Sequence, residues 1–425
     1  MSGPSTTRRG MLAIAVTAMG AGCLDFGSLN EAEPIDSYRF QEVVQGDREP
    51  VVVDDRPVEI EADHLETAVD RVADLLGELP LPLGPEEIPN GYIRRELTDA
   101  AAHATDGLDE ARSAPNRLAA LDELRHARGE ARYAAAGWAF VDDGLTADDL
   151  RTAHREITEE ARSVAEDIEY RGTDPVDAAL VYGLVEDSLD RVVDDRPSPG
   201  RRETSQLLTV AEWGDRVETA RTSVEDARYL AERFQASLDD DAESVEPTLS
   251  AAVDDLAGEL ADRRSGLPPE PSDEDDERVG LLRDRLRRAA EAGVGRVDDA
   301  PGPASGLLSA TEAFVAFGAH ERLLYRLEDG NPLEVETASD VLDARNAAVD
   351  AIETAHQESP RAELVRPILA DAAESVSFTD ERLGEFDGEV QPRRFDGVVE
   401  RYVSATLRAR SVPDACERTV DALDR

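Results

Sequence analysis

Residues Gly107 to Gly144 can be laid without a gap on Gly293 to Gly330. In that register Ala114 and Pro115 meet Ala300 and Pro301, Leu121 meets Leu307, Ala127 meets Ala313, and Asp143 and Gly144 meet Asp329 and Gly330. Upstream, an apolar stripe that begins at Leu65 matches one that begins at Leu249, and each runs into a Pro-rich loop, 80–89 and 267–271. Downstream, Pro175 falls near Pro360, and Ser223, Val224, Asp226 and Ala227 echo Ser411, Val412, Asp414 and Ala415. Identity between the copies is low, so the order of features carries the argument: helix, Pro-rich loop, helix, Ala-Pro, long helix, Asp-Gly stop, helix, Pro, helix, loop, terminal helix, twice over. A period of about 186 residues means that one unit is made twice, and whatever fold the first copy adopts constrains the second.

The local text of each copy is helical. Leu65, Ala68, Val69, Val72, Ala73 and Leu76 form one stripe behind a capping Asp63. Val217, Ala220, Val224, Ala227, Ala231, Phe234 and Leu238 alternate steps of three and four, the spacing of a coiled-coil seam. Leu249, Ala252, Val253, Leu256 and Leu260 follow after an acidic turn with Pro247, which predicts an antiparallel hairpin of these two helices. Only residues 36–62 read as strand, with Val51 to Val53 behind Pro50 and with Val58 and Ile60 alternating with Glu59 and Glu61. The expected fold is therefore all-α, with two related helical halves from a tandem duplication and a short strand-like segment near the N-terminus. The expected boundaries are 23–63 for a tether with short strands, 64–240 for the first half and 241–425 for the second, whose Pro-rich acidic loop covers 265–278.

The N-terminus carries a different signal. Thr7, Arg8, Arg9 and Gly10 precede a short apolar run from Met11 to Ala21, which ends at Gly22 and Cys23, with no acidic residue before Asp25. The run is shorter than the roughly 20 residues a membrane-spanning helix needs. This pattern resembles the signal region of twin-arginine-exported lipoproteins, and the resemblance covers residues 1–23. It implies a signal peptide over 1–22, with Arg8 and Arg9 as the export signal and Cys23 as the acylated residue. One position departs from it: Gly20 stands where the lipobox carries Leu. The formal charge is −48, and all 46 basic residues are Arg. Such a composition resembles the proteins of salt-loving archaea, and at 1 M salt, where the Debye length is roughly 3 Å, most of the self-repulsion is screened. Acidic residues outnumber basic ones 94 to 46, which argues against nucleic acid as a partner, since phosphate binding wants clustered basic residues on one face.

Candidate chemistry is sparse. Glu123 and His126 form a Glu-x-x-His, as do Glu353 and His356, the spacing that puts two metal ligands on one helix face. These pairs lie 230 residues apart rather than one repeat period, as a duplicated site would require. Gly318, Ala319 and His320 resemble the Gly-x-His start of the imelysin-type helical metal-binding proteins. That motif continues with Glu where this chain has Leu323, and Glu321 lies on the wrong face. With Cys23 acylated, Cys416 is left without a disulfide partner and reads as a buried apolar residue. No nucleophile elbow, phosphate-cradling loop, His-Glu-x-x-His or complete calcium loop occurs. The expected function is a noncatalytic surface lipoprotein of the archaeal envelope. It would sit on the outer face of the cytoplasmic membrane through its lipid and act as a helical scaffold or protein-binding module toward another envelope protein, with no cofactor and no nucleic acid. An extracytoplasmic metal- or solute-binding protein using Glu123, His126 or His320 is the alternative. An envelope hydrolase with an environment-tuned carboxylate comes third.

Overall fold

The computed structural model describes residues 33–44, 50, 52–195, 205–268, 277–329 and 334–425. Arg8, Arg9, Cys23, Val51, Gly330 and most of the acidic 272–277 stretch lie outside them. Strand β1 (Ile35–Asp36), a 3-10 turn at Ser37–Phe40 and the single turn α1 (Gln41–Val44) open the described chain. The first half then consists of α2 (Ala62–Gly77), α3 (Gly91–Ser113), α4 (Arg117–Asp142), α5 (Ala147–Glu166), α6 (Pro175–Val193) and α7 (Gln206–Ser237). The second consists of α8 (Glu246–Ser265), α9 (Glu277–Asp298), α10 (Pro303–Glu328), α11 (Ala338–Glu358), α12 (Ala362–Gly384) and α13 (Asp396–Leu423). Two-residue strands tie the loops: β2 (Arg171–Gly172) pairs antiparallel with β3 (Glu243–Ser244), and β1 with β4 (Glu389–Val390).

The two halves are built alike, element for element. Helix α4 packs on α2, α3 and α7, as α10 does on α8, α9 and α13; α5 packs on α6 and α7, as α11 does on α12 and α13. The start signals recur as well. Thr146 opens α5 and Thr337 opens α11, and in each case an Asp three residues on, Asp149 or Asp340, accepts the Thr backbone N–H, at 3.1 and 2.7 Å. Helix α4 stops at a turn where Gly144 takes φ +73°, a left-handed conformation that costs a glycine little. The gap-free register of the sequence reappears as a contact. A Cβ on Gly107 would stand 3.0 Å from the Ala127 Cβ, and one on Gly293 would stand 2.8 Å from the Ala313 Cβ. The same Gly-on-Ala crossing thus brings α3 against α4 and α9 against α10.

Helix α6 joins the halves. Its residues Val176 to Tyr182 belong to the core of the second half, while Val185, Leu189 and Val192 face that of the first. Gly183 lets α10 approach, since a Cβ there would meet the Leu308 side chain at 2.7 Å. The caps show what the contact replaced. Asn116 caps α4 with its own side chain, which accepts from Ala119 N at 2.8 Å. At the matching position α10 has Gly302, which has no side chain, and Glu186 of α6 fills the role from the other half. Its carboxylate accepts from Ala304 N at 3.2 Å, and from Ser305 N and Oγ at 2.7 and 2.5 Å. Nearby, Asp174 and Arg361, the residues just before α6 and α12, form a two-pronged ion pair at 3.1–3.2 Å.

Three expectations are corrected. The N-terminal region does contribute a strand, but at Ile35–Asp36; the alternating text at 52–61 lies as an extended strap without a ladder. Side chains take the place of a partner strand there: Asn116 Nδ2 donates to Asp54 O and Arg117 to Ile60 O, while Glu61 N donates to Tyr229 Oη. Helices α7 and α8 do not pair as a hairpin. Helix α7 buries its seam on α4, α5 and α6, whereas α8 lies on α10 and α13. The β2–β3 bridge directs the chain away between them. Asp63 sits in the first turn of α2, not at its cap, which is Glu61.

Candidate functional site

The seam between α4 and α7 differs most between the halves. In the first half it is charged. Arg128, with its side chain 7% exposed, donates from Nε and Nη2 to Glu218 Oε1 at 3.1 and 2.8 Å and from Nη1 to Glu225 at 2.9 Å. Arg71 of α2 holds the same Glu218 at 2.9–3.0 Å. Burial alone would raise the Glu218 carboxyl, but the two guanidinium partners outweigh it and hold it below the usual carboxylate range. Two turns along α7, Asp226 takes Arg125 at 3.4 Å and His64 at 3.0 Å, and the His64 ring stacks on Tyr229 at 3.7 Å. Counted one period on, Arg125 and Arg128 correspond to Thr311 and Phe314. There the α10–α13 seam holds a Thr311–Thr419 hydroxyl pair at 2.9 Å and the Phe314 ring beneath the Arg263 and Arg418 guanidinium groups, and its ion pair, Arg322 with Asp414 at 2.9 Å, is exposed rather than buried.

This polar seam opens into a pocket of about 270 Å³ between α4, α6 and α7. Its lining includes Arg125, Arg191, Asp195, Asp215, Arg216 and Thr219, with Ser223 behind them. The buried Arg125 Nε has no hydrogen-bond partner among the described residues. Burial raises the Asp215 carboxyl against the Thr219 hydroxyl and nearby cations, and burial together with Arg125 lowers the Arg191 guanidinium. At the rim, Trp213 is flanked by the Arg151 and Arg216 guanidinium groups, each 5.3 Å from its ring, and by His154 edge-on at 5.7 Å. Asp195 Oδ2 stands 3.1 Å from His154 Nε2, off the line of a hydrogen bond. The second half has a buried ion pair among α11, α12 and α13. There Arg345 of α11 holds Asp380 at 2.8–3.1 Å, and Tyr402 Oη donates to the same carboxylate. Guanidinium groups, carboxylates and hydroxyls around a small volume suit a small polar solute carrying both charges, and within it the Thr219 hydroxyl donates to Asp215 at 3.2 Å.

The candidates from the sequence lie elsewhere. Glu123 and His126 sit toward solvent on α4, where burial and then Glu110 and Asp122 raise the Glu123 carboxyl against the pull of His126. Glu353 is exposed on α11. His356 lines a separate pocket of about 400 Å³ with Val52, Asp55, Asn116 and Arg366. The two Glu-x-x-His pairs are not joined, and among the described residues no group of three or more His, Cys, Asp or Glu is placed to hold a metal ion. His320 is 1% exposed and its Nε2 has no partner among the described residues; burial, then Arg283 and Arg287, lower its pKa. Cys416 is fully buried, and burial pushes its thiol up to about 11. The pocket residues carried no usable signal in the sequence, since a third of the chain is charged and half-buried Arg125 reads like any surface arginine.

Residues 63–241 match a family described as Domain of unknown function (DUF8262), and residues 246–421 match another, Domain of unknown function (DUF8264). The junction falls in the β3 loop, and two distinct families cover the two architectural copies. No curated protein and no solved structure matches the chain.

Proposed function

We propose that the protein is a noncatalytic lipoprotein of the archaeal cell envelope, exported through Arg8 and Arg9 and held at the outer face of the cytoplasmic membrane by Cys23. There it acts as a helical scaffold for another envelope protein. The signal-region resemblance supports the address. The observation that carries the scaffold reading is a pair of bare apolar side chains near one end of a hairpin in each half, though not at matching positions of the repeat. Tyr92 is 57% and Val141 46% exposed in the first half, and Leu281 57% and Tyr325 68% in the second. Counted outward from the two Gly-on-Ala crossings, Tyr92 falls level with Val141 on the α3–α4 hairpin, and Leu281 with Tyr325 on α9–α10. Bare apolar side chains at the same end of both copies, on an otherwise acidic surface, suit a partner that is gripped twice. Photo-crosslinkers in place of Tyr92 and Tyr325, activated on intact cells in molar salt, are expected to capture one and the same stoichiometric companion. Capture of nothing, or of unrelated proteins at the two positions, overturns the scaffold reading.

The pocket of the first half favours a second reading, an extracytoplasmic binding site for a small zwitterionic solute. A solute that raises the melting temperature of the purified protein, and no longer does so after Arg191→Gln, is the expected sign of it.

A further inference from the structure

A third concavity, of about 340 Å³, opens on the opposite kind of charge. It is lined by Thr379, Arg382, Glu385 and Phe386 at the end of α12 and by Arg394, Gly397, Val398 and Arg401 at the start of α13. Three arginines against one glutamate reverse the composition of the whole chain. Arg382 is 3.8 Å from Glu385, whereas the Arg394 and Arg401 guanidinium groups have no carboxylate within 4 Å among the described residues. Arg382 and Arg401 both stack on Phe378, at 5.9 and 5.5 Å, and that ring is 45% exposed. Exposed Glu381, Asp387 and Glu389 surround the pocket. In molar salt, with a Debye length of roughly 3 Å, they act little on a ligand seated in it, while direct guanidinium contacts persist.

The N-terminal segment runs beside this pocket. Ile35 and Asp36 pair with Val390 and Glu389, and Ser37 N donates to Gly388 O at 2.9 Å. The Phe40 ring packs 5.2 Å from Phe395, the residue after Arg394, and Phe395 packs 4.6 Å from Phe386 of the pocket wall. About twelve residues separate Cys23 from Ile35, a reach of at most roughly 40 Å. A compact chain of this length has a radius of gyration of about 22 Å, so a lipid on Cys23 would hold the β1–β4 side within roughly 40 Å of the bilayer surface, close enough for the pocket to reach it.

From these two observations we infer that the Arg382–Arg394–Arg401 pocket binds the phosphate of an anionic lipid headgroup, seating the second half on the membrane with Phe378 at the interface. The inference rests on the anchoring at Cys23 proposed above, and two measurements separate the two. Mass spectrometry of Cys23 in the full chain tests the anchor alone: an unmodified thiol sinks it. The full chain carrying Cys23→Ser, collected as secreted, is then floated with phosphatidylglycerol or phosphatidylcholine vesicles in about 2 M KCl. Partition onto the anionic vesicles only is expected, and Arg382→Gln/Arg394→Gln/Arg401→Gln should lower it about tenfold. Arg394→Gln alone, at an exposed side chain with no carboxylate partner among the described residues, should lower it about threefold, so that misfolding cannot mimic the loss. The same charge change on other faces, Arg95→Gln/Arg112→Gln/Arg264→Gln, should leave it unaltered. Equal partition onto both vesicles, or no loss in the pocket variants, overturns the proposal. So does binding of inorganic phosphate by the pocket without partition onto vesicles, which would make it a soluble-anion site.

Discussion

At the scale of single residues, the clearest record of the duplication is a missing side chain. Asn116 and Gly302 have the same extended backbone, φ −150° and −166° with ψ 177° in both, yet only the asparagine caps its own helix. Glu186→Ala should cost about 2–4 kcal/mol, because it strips a buried helix start of three hydrogen bonds to a charged acceptor. Gly302→Asn should destabilise the native protein, since its Cβ would stand 2.4 Å from the Glu186 carboxylate. In the Glu186→Ala background the same change should return about 1 kcal/mol, by restoring the cap that α4 still has. Urea unfolding of the four proteins in molar salt completes the cycle, and additive effects would refute the substitution of one cap by the other. In the charged seam, Arg128→Ala should cost about 3 kcal/mol or more, since it leaves Glu218 buried with half its partners.

Among the elements, the helices were legible because they follow from short-range periodicity, and the repeat register because it rests on matched residues; which helices pair was not. The register read from Ala127 and Ala313 recurs as a contact between backbones. Two neighbouring glycines of α9 test it. Gly293→Ala must push against Ala313 and should destabilise by about 1–2 kcal/mol. Gly295 has open space where a Cβ would stand, with no atom within 4 Å, and Gly295→Ala should gain about 0.5–1 kcal/mol from helix propensity. Melting temperatures that move in the same direction would show that the crossing is looser than drawn. Where the sequence misled, the missing information was nonlocal. Alternation at Val58 and Ile60 does mark extended backbone, but whether that backbone meets a strand or a row of side chains depends on Asn116 and Arg117, far along the chain. Pro247 marks a turn, not which face α8 will bury. The charged pocket was hidden for another reason. Its arginines and aspartates are told from surface ones only by depth, and depth has no signature in a chain so rich in both.

For the whole molecule, acidity and the joint between the halves meet at one place. Burial, and then the Glu186 carboxylate, push Asp187 up to about 6, and burial also raises Glu312 and Asp371 on the facing helices. A carboxyl raised on folding contributes stability below its unfolded value near 4, and that contribution fades as the pH climbs through about 6. The Asp187 contribution to melting in molar salt should therefore fall between about pH 4 and 6, while His320, held below its ordinary value, acts in the opposite sense, and Asp187→Asn should flatten the decline; an unchanged slope would remove Asp187 from the cause. Lowering the salt should reduce stability across this range, as repulsion within a chain of formal charge −48 is unscreened. In this chain the second copy takes the cap of α10 from the first, so the two should not part without loss. Severed in the β3 loop, the first fragment would carry a carboxylate with nothing to hold and the second a helix with nothing to begin it. Mixed again, they should find one another.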